Sequence, residues 1–152
     1  MASNEAGQLV GDALGDWRPP PFPPAVALQG ATVGLEPLEH EGHGPGLWRA
    51  LQEAPLETWT YMTFGPFRGY DDFAATLRSI AEPDDWLLYA IIVDGEPQGF
   101  AAYLRINPGD GVIEIGSIVF SPALQRTTPA TEAMYLMIRN IFDLGYRRCE
   151  WK

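Results

Sequence analysis

The chain has 152 residues and is 46% hydrophobic, which is enough for one buried core and fits the size of a single domain. Its 20 acidic and 10 basic residues give a formal net charge of -10 at pH 7, which repels phosphate backbones and anionic lipids and argues against nucleic acid and membrane partners. The single cysteine excludes an internal disulfide and a multi-cysteine metal site. Because no signal peptide or long apolar run is present, the sequence predicts a cytoplasmic protein.

The first 25 residues are rich in glycine, aspartate and proline, and they end in the run Trp17-Arg18-Pro19-Pro20-Pro21-Phe22-Pro23-Pro24. Such prolines favour an extended polyproline II conformation. We therefore expect a flexible, proline-rich arm over residues 1–25 and a folded domain over residues 26–152. The run could be a ligand for an SH3- or WW-type domain, but packing of Trp17 and Phe22 onto the chain's own domain is the favoured interpretation.

The first half of the domain contains signals for a hairpin and two helices. Residues 26–38 alternate loosely and predict two short strands joined at Gln29-Gly30. Apolar spacing predicts a helix over residues 45–54 and a second one from Gly69 to about residue 81. The aromatic segment between them, residues 59–67, either walls a substrate pocket or covers an edge of the core.

The second half has the clearest pattern. Three apolar runs, at residues 86–93, 98–106 and 112–120, are separated by turn sequences and predict an antiparallel meander. Helical spacing follows over residues 130–144, and residues 146–152 begin another strand. This order of elements predicts an α/β (α+β) domain with a mixed, mainly antiparallel central sheet flanked by helices.

The segment Gln125-Arg126-Thr127-Thr128-Pro129-Ala130-Thr131-Glu132-Ala133 joins the third meander strand to the long helix. The first N–H groups of a helix have no internal partners and lie at the positive end of its dipole, so this junction predicts an anion site. No Gly-Lys-Ser/Thr follows a glycine-rich loop, and no G-x-G-x-x-G occurs. Walker A and dinucleotide-binding folds are therefore excluded.

Gln125, Thr128 and Ala130 occupy the signature positions of a known loop. The segment resembles the pyrophosphate loop of the GNAT superfamily of N-acetyltransferases, in particular its RimJ/RimL-like branch, and the resemblance extends over residues 33–152. The family usually has glycine where Thr128 stands, and Pro129 removes one N–H donor. Both departures are expected to weaken cofactor binding.

The resemblance implies that acetyl-CoA is the acetyl donor and that no metal takes part. It implies pairing of the pantetheine arm with the main chain of one strand end, and wrapping of the pyrophosphate by the loop that follows. The implied cofactor-binding residues are Ile118, Val119, Phe120, Gln125, Arg126, Thr127, Thr128, Pro129, Ala130 and Thr131.

Glu114 matches the position of the general-base glutamate in the histone-acetyltransferase branch of the same superfamily. Strand alternation places it on one face with Val112, Gly116 and Ile118, among apolar neighbours. Desolvation there would make the carboxylate a better base. A solvent-facing strand glutamate is the alternative.

Other candidate groups favour structural roles. His40 and His43 lack further ligands at metal-site spacing and are expected in a loop. The pairs Asp71-Asp72 and Asp84-Asp85 are typical of helix caps and turns. Cys149 has no evident base beside it, which argues against a nucleophilic role.

In the family, a helix and two more strands follow the strand near Tyr146, so the resemblance implies that this chain is an incomplete GNAT domain. An uncovered sheet edge would favour pairing with another chain, such as a homodimer. The predicted function is acetyl-CoA-dependent N-acetylation of a primary amine on a protein N-terminus, polyamine or small molecule. The alternatives are a non-catalytic acyl-CoA-binding or scaffold domain and, more weakly, a proline-arm interaction module.

Overall fold

A computed structural model describes residues 1–152. Its elements are β1 (Ala2–Ser3), β2 (Leu9–Val10), β3 (Leu28–Gln29), β4 (Gly34–Pro37), α1 (His40–Leu51), a 3-10 helix (Leu56–Trp59), α2 (Tyr70–Ile80), β5 (Leu87–Val93), β6 (Glu96–Asn107), β7 (Val112–Phe120), α3 (Thr128–Asp143) and β8 (Arg148–Trp151). One six-stranded sheet has the order β3-β4-β5-β6-β7-β8, and every neighbouring pair in it is antiparallel except β7 and β8, which run parallel. The predicted mixed, mainly antiparallel sheet is confirmed.

Helix α3 covers one face of the sheet. Its buried residues, Ala130, Ala133, Met137 and Ile141, recur every three or four positions and form one stripe. They join a core cluster with buried side chains of β4 to β7. The Tyr103 hydroxyl of β6 donates a hydrogen bond of 2.8 Å to the carbonyl of Met137, which ties the helix to the sheet.

Helices α1 and α2 cover the opposite face. Leu47 and Leu51 of α1 and Phe73 and Leu77 of α2 form a second core cluster with Phe100 of β6. Full burial of one such side chain contributes about 1.5–3 kcal/mol to folding, so these faces fix both helices against the sheet. The two-sided burial explains why the strand sequences are nearly continuous apolar runs.

Helix α1 begins at His40, five residues before the predicted start at Pro45, and ends at Leu51. The main-chain N–H of Glu39 donates to Nδ1 of His43 at 3.0 Å, and Nε2 of His43 lies 3.1 Å from the Glu36 carboxylate. The histidine therefore caps the helix start and ties it to β4. The expectation that His40 and His43 lie in a loop is wrong.

The first hairpin of the sheet turns later than predicted, because β3 ends at Gln29 and β4 begins at Gly34. The main-chain N–H groups of Ala31 and Thr32 each donate to the Glu132 carboxylate of α3 at 2.7 Å. Hydrogen bonds from the Thr32 hydroxyl and from these N–H groups hold the pKa of Glu132 below its usual value. A partner 100 residues away thus sets the turn, which local sequence does not reveal.

The N-terminal arm touches the domain at several points. The guanidinium carbon of Arg147 lies 5.6 Å from the centroid of the Trp17 ring. The Tyr146 hydroxyl donates a hydrogen bond of 3.1 Å to the carbonyl of Pro21. Trp17 therefore packs as expected. Phe22 is 45% exposed and is therefore covered only in part. The division between arm and domain at residue 25 stays a prediction.

The aromatic segment 59–67 covers an edge of the core and also lines a pocket. Trp59 is buried in the cluster under α1 and α2, with its ring 5.1 Å from that of Phe67. Tyr61 is 96% exposed and lines a pocket with Met62.

The helices of the structure are all too short or too polar to cross a membrane.

Candidate active site

The loop between β7 and α3 presents main-chain donors. Thr127 is the N-cap of α3, and its hydroxyl accepts from the N–H of Ala130 at 3.3 Å. The N–H groups of Arg126, Thr127 and Thr128 donate no hydrogen bond within the chain. Three free donors at the positive end of a 16-residue helix form a cradle that suits a diphosphate.

The residues of this cradle have distinct structural roles. Arg126 adopts a left-handed conformation with φ of 62°, which reverses the chain at the helix start. Pro129 stands in the first turn of α3, where a missing N–H costs no helical hydrogen bond. Ala130 is only 6% exposed and packs into the core, whereas Thr128 and Thr131 are exposed.

The last residues of β7 have a strand neighbour on the β6 side only. Parallel pairing with β8 covers Val112 to Ile115, and the predicted pantetheine residues Ile118, Val119 and Phe120 lie beyond it. The Gln125 amide donates to the carbonyl of Phe120 at 3.2 Å, so that acceptor is already used. The remaining main-chain groups of this edge can pair with an extended ligand.

A pocket of about 470 Å³ lies beside this edge, on the side of the sheet that carries α1 and α2. Its floor comes from β6 and β7, and its walls come from the aromatic segment, the residue before β5, and the end of β8. The lining residues are Tyr61, Met62, Thr63, Trp86, Leu104, Arg105, Glu114, Gly116, Ser117, Ile118, Trp151 and Lys152.

Glu114 lies in the floor of this pocket and is 5% exposed. Its Oε2 accepts from Nη1 of Arg105 at 2.7 Å and from Nζ of Lys152 at 3.2 Å. Its Oε1 has no hydrogen-bond partner in the chain, and it is not fully buried, so it faces the pocket. Oε2 is therefore held by the two cations, and Oε1 is free to contact a molecule bound in the pocket.

The surroundings of Glu114 differ from the sequence-based expectation. Two cations lie at hydrogen-bond distance from its carboxylate, where the sequence led us to expect apolar neighbours. Ser117 has a φ of 48° in a β-bulge, and the bulge shifts the alternation of β7. As a result Ile118 packs in part against the core on the α3 side while it still lines the pocket of Glu114, so the prediction that the two share a face holds only in part.

Sequence reasoning missed six residues of this pocket: Trp86, Leu104, Arg105, Ser117, Trp151 and Lys152. Arg105 and Ser117 are bulge residues with φ of 47° and 48°, and no local signal predicts a left-handed conformation for either type. The one signal in the sequence was Arg105 itself, a charged residue inside the apolar run of β6, which precedes the strand that carries Glu114.

The remaining candidates do not join the site. Burial raises the pKa of the Cys149 thiol, which keeps it protonated and argues further against a nucleophilic role. The Asp72 carboxylate accepts from the N–H of Arg68 at 3.1 Å and so stabilises the turn before α2.

Comparisons with known proteins agree with this geometry. The sequence profile of the Acetyltransferase (GNAT) family matches residues 47–152. A protein from Chromobacterium violaceum ATCC 12472, described as a probable GNAT-family acetyltransferase, is 36% identical with a TM-score of 0.88 over 95% of this chain and 73% of its own. A GCN5-related N-acetyltransferase from Brucella melitensis is 38% identical, with a TM-score of 0.85 over 91% of this chain and 64% of its own.

A more distant structure shares the fold alone. It is an acetyltransferase from Salmonella typhimurium that modifies the N-terminal serine of the 50S ribosomal protein L7/L12, with 13% identity and a TM-score of 0.62 over 79% of this chain and 70% of its own. No curated protein matches the chain. On the matched profile, the two relatives above 30% identity and the shared fold, the chain belongs to the GNAT acetyltransferase family.

Proposed function

We propose that this protein transfers an acetyl group from acetyl-CoA directly to a primary amine. The observation that carries the proposal is the alignment of three features along β7: a cradle of free N–H groups, an open strand edge, and a pocket with a carboxylate oxygen in its floor. A diphosphate, an extended arm and an amine would each meet matching chemistry in that order.

The cradle residues suit the diphosphate of acetyl-CoA. The N–H groups of Arg126, Thr127 and Thr128 would donate to its oxygens, and the exposed Arg126 guanidinium adds a positive charge. The open edge at residues 118–120 would pair with the amides of the pantetheine arm. When bound, acetyl-CoA supplies an acetyl thioester, whose carbonyl carbon is the electrophile.

Glu114 is the proposed base. An amine must lose a proton before or as it attacks a thioester, and Oε1 of Glu114 can accept that proton directly or through one water. The two cations on Oε2 fix the carboxylate in place.

Calorimetric titration with acetyl-CoA and CoA tests the cradle, and a matched pair of variants sharpens it. Thr128→Glu places a negative charge at the first helical position, where it favours the helix but repels a diphosphate. Thr128→Gln is the neutral control of equal size. We expect at least about a tenfold loss of affinity in the glutamate variant relative to the glutamine variant, with no loss of thermal stability.

Equal affinity in these two variants would place the diphosphate elsewhere and contradict the proposed cradle. Thr131→Trp is a second test of the same site, since Thr131 is exposed, whereas a bulky residue at Ala130 would also damage the core. Release of CoA thiol in the presence of a set of primary amines then tests transfer. Tight binding without thiol release would favour the alternative of a non-catalytic acyl-CoA-binding domain.

A further inference from the structure

Two residues with strained backbone conformations, on neighbouring strands, line the pocket that contains Glu114. Arg105 of β6 and Ser117 of β7 have φ of 47° and 48°, and both line the pocket beside Glu114. A non-glycine residue in this left-handed region costs about 1 kcal/mol or more. Such strain is retained where the surrounding structure requires a particular side-chain position.

The bulge in β6 places Arg105 in the pocket. Leu104 packs on the α1 and α2 side of the sheet, while Ile106 packs on the α3 side, although residues two apart in a regular strand share a face. Arg105 is therefore the extra residue of the bulge, between a register break at Leu104 and Asn107. Its side chain reaches the pocket together with that of Leu104.

Most N–H donors of the Arg105 guanidinium make no hydrogen bond within the chain. Of its five N–H donors, only Nη1 makes a hydrogen bond within the chain, to Oε2 of Glu114, and the side chain is 60% exposed. Next to it, Oε1 of Glu114 faces the same space. The pocket thus offers an anion-binding fork and a cation-binding oxygen side by side.

Resting on the proposed N-acetyltransferase function, we propose that the acceptor is an amino-acid-like zwitterion. Its carboxylate binds the free edge of the Arg105 guanidinium, in the forked geometry that arginine forms with carboxylates. Its ammonium binds Oε1 of Glu114. Leu104, Met62 and Trp86 contribute apolar surface for a side chain of the acceptor.

The transfer step balances with this acceptor. The ammonium loses one proton to Glu114, and the amine nitrogen then forms a bond to the acetyl carbonyl carbon as the carbon–sulfur bond breaks. The leaving thiolate takes the second proton of the nitrogen. The products are an N-acetyl amino acid and CoA thiol, and Glu114 returns its proton to solvent.

The charges of the protein favour a zwitterion over other amines. A polyamine would bring its second cation against Arg105 and Lys152, which line the pocket. A zwitterion is neutral overall, so the distant field has little effect, while the two neighbouring groups in the pocket bind its two charges.

Binding to the CoA-loaded protein tests this proposal by calorimetry. The probes are L-phenylalanine, L-phenylalaninamide and 2-phenylethylamine, with the matching three compounds of the leucine series. We expect the free amino acid of at least one series to bind about tenfold more tightly than its amide or amine. Arg105→Ala removes that preference without weakening amide binding, and Arg105→Lys retains part of it.

Arg139→Ala is the control, because Arg139 is similarly exposed, at 62%, and is paired with Asp143 on α3 across the sheet. It should keep the preference intact. Binding of amides and amines as tight as that of the amino acids, a preference retained in Arg105→Ala, or no binding of any probe would overturn the proposal.

Thiol release with acetyl-CoA, measured on the same compounds, separates the two claims. Acetylation of all the amines without regard to their carboxylate would leave the proposed function standing and overturn the zwitterion. A carboxylate preference in binding with no thiol release would support acceptor recognition by Arg105 and count against transfer.

Discussion

Replacement of Glu114 by glutamine should have a small effect on the free energy of unfolding and a large effect on turnover. The variant loses two charge-assisted contacts, to Arg105 at 2.7 Å and to Lys152 at 3.2 Å. The side chains of these cations are 60% and 59% exposed, so water can solvate them once the carboxylate charge is gone. Such exposed partners contribute little, and we expect Glu114→Gln to lower the free energy of unfolding by about 1 kcal/mol or less.

Arg105→Ala should lower the free energy of unfolding more than Glu114→Gln does. It leaves a carboxylate that is only 7% exposed with Lys152 as its single cationic partner, and loss of a partner by a buried charge costs about 1–3 kcal/mol. The asymmetry follows from which member of the pair is buried. Urea denaturation of both variants measures it, with Glu96→Gln, which lies in an exposed pair with Arg49, as the control.

The kinetic effect of Glu114→Gln should be far larger than its effect on stability. Loss of a positioned base reduces turnover by about 100-fold or more, while CoA affinity is unchanged because the cradle consists of main-chain donors. Steady-state thiol release and calorimetry give the two values. Unchanged turnover, or a stability loss larger than that of Arg105→Ala, would refute this reasoning.

Three other predictions address the sheet and its edges. Burial raises the pKa of Tyr89 to about 12 from 10.0, so its contribution to stability is complete below pH 10 and falls as the pH rises from 10 to 12. Burial also raises the pKa of Tyr103 and of Tyr146, so the share of Tyr89 is the difference between the unaltered chain and Tyr89→Phe, about 1 kcal/mol at pH 11 by urea denaturation. Gly99→Ala would drive its Cβ into the carbonyl oxygen of Val119, so we expect a loss of about 1–3 kcal/mol and weaker acetyl-CoA binding, whereas Gly11→Ala meets no neighbour and should change neither. Because burial raises the pKa of its thiol, Cys149 should react with iodoacetamide more slowly at pH 8 than free cysteine does; faster reaction would contradict its half-buried position.

The sequence alone predicted the elements that depend on local pattern. The apolar runs and turns of the meander, the stripe of α3 and the start of α3 after the loop at Gln125 all follow from periodicity and helix-end chemistry. The family could also be identified from that junction. These features involve residues that are close in the chain, so their signals survive in the sequence.

Only the tertiary structure decided which side chains meet in the pocket. The bulges at Arg105 and Ser117 change the strand alternation, which packs part of Ile118 against the α3-side core and brings Arg105 to Glu114. Pairing between strands sets those bulges, because an extra residue in one strand is defined only by the register of its neighbour. The charge environment of Glu114 is therefore a property of the assembled sheet, and local sequence patterns do not specify it.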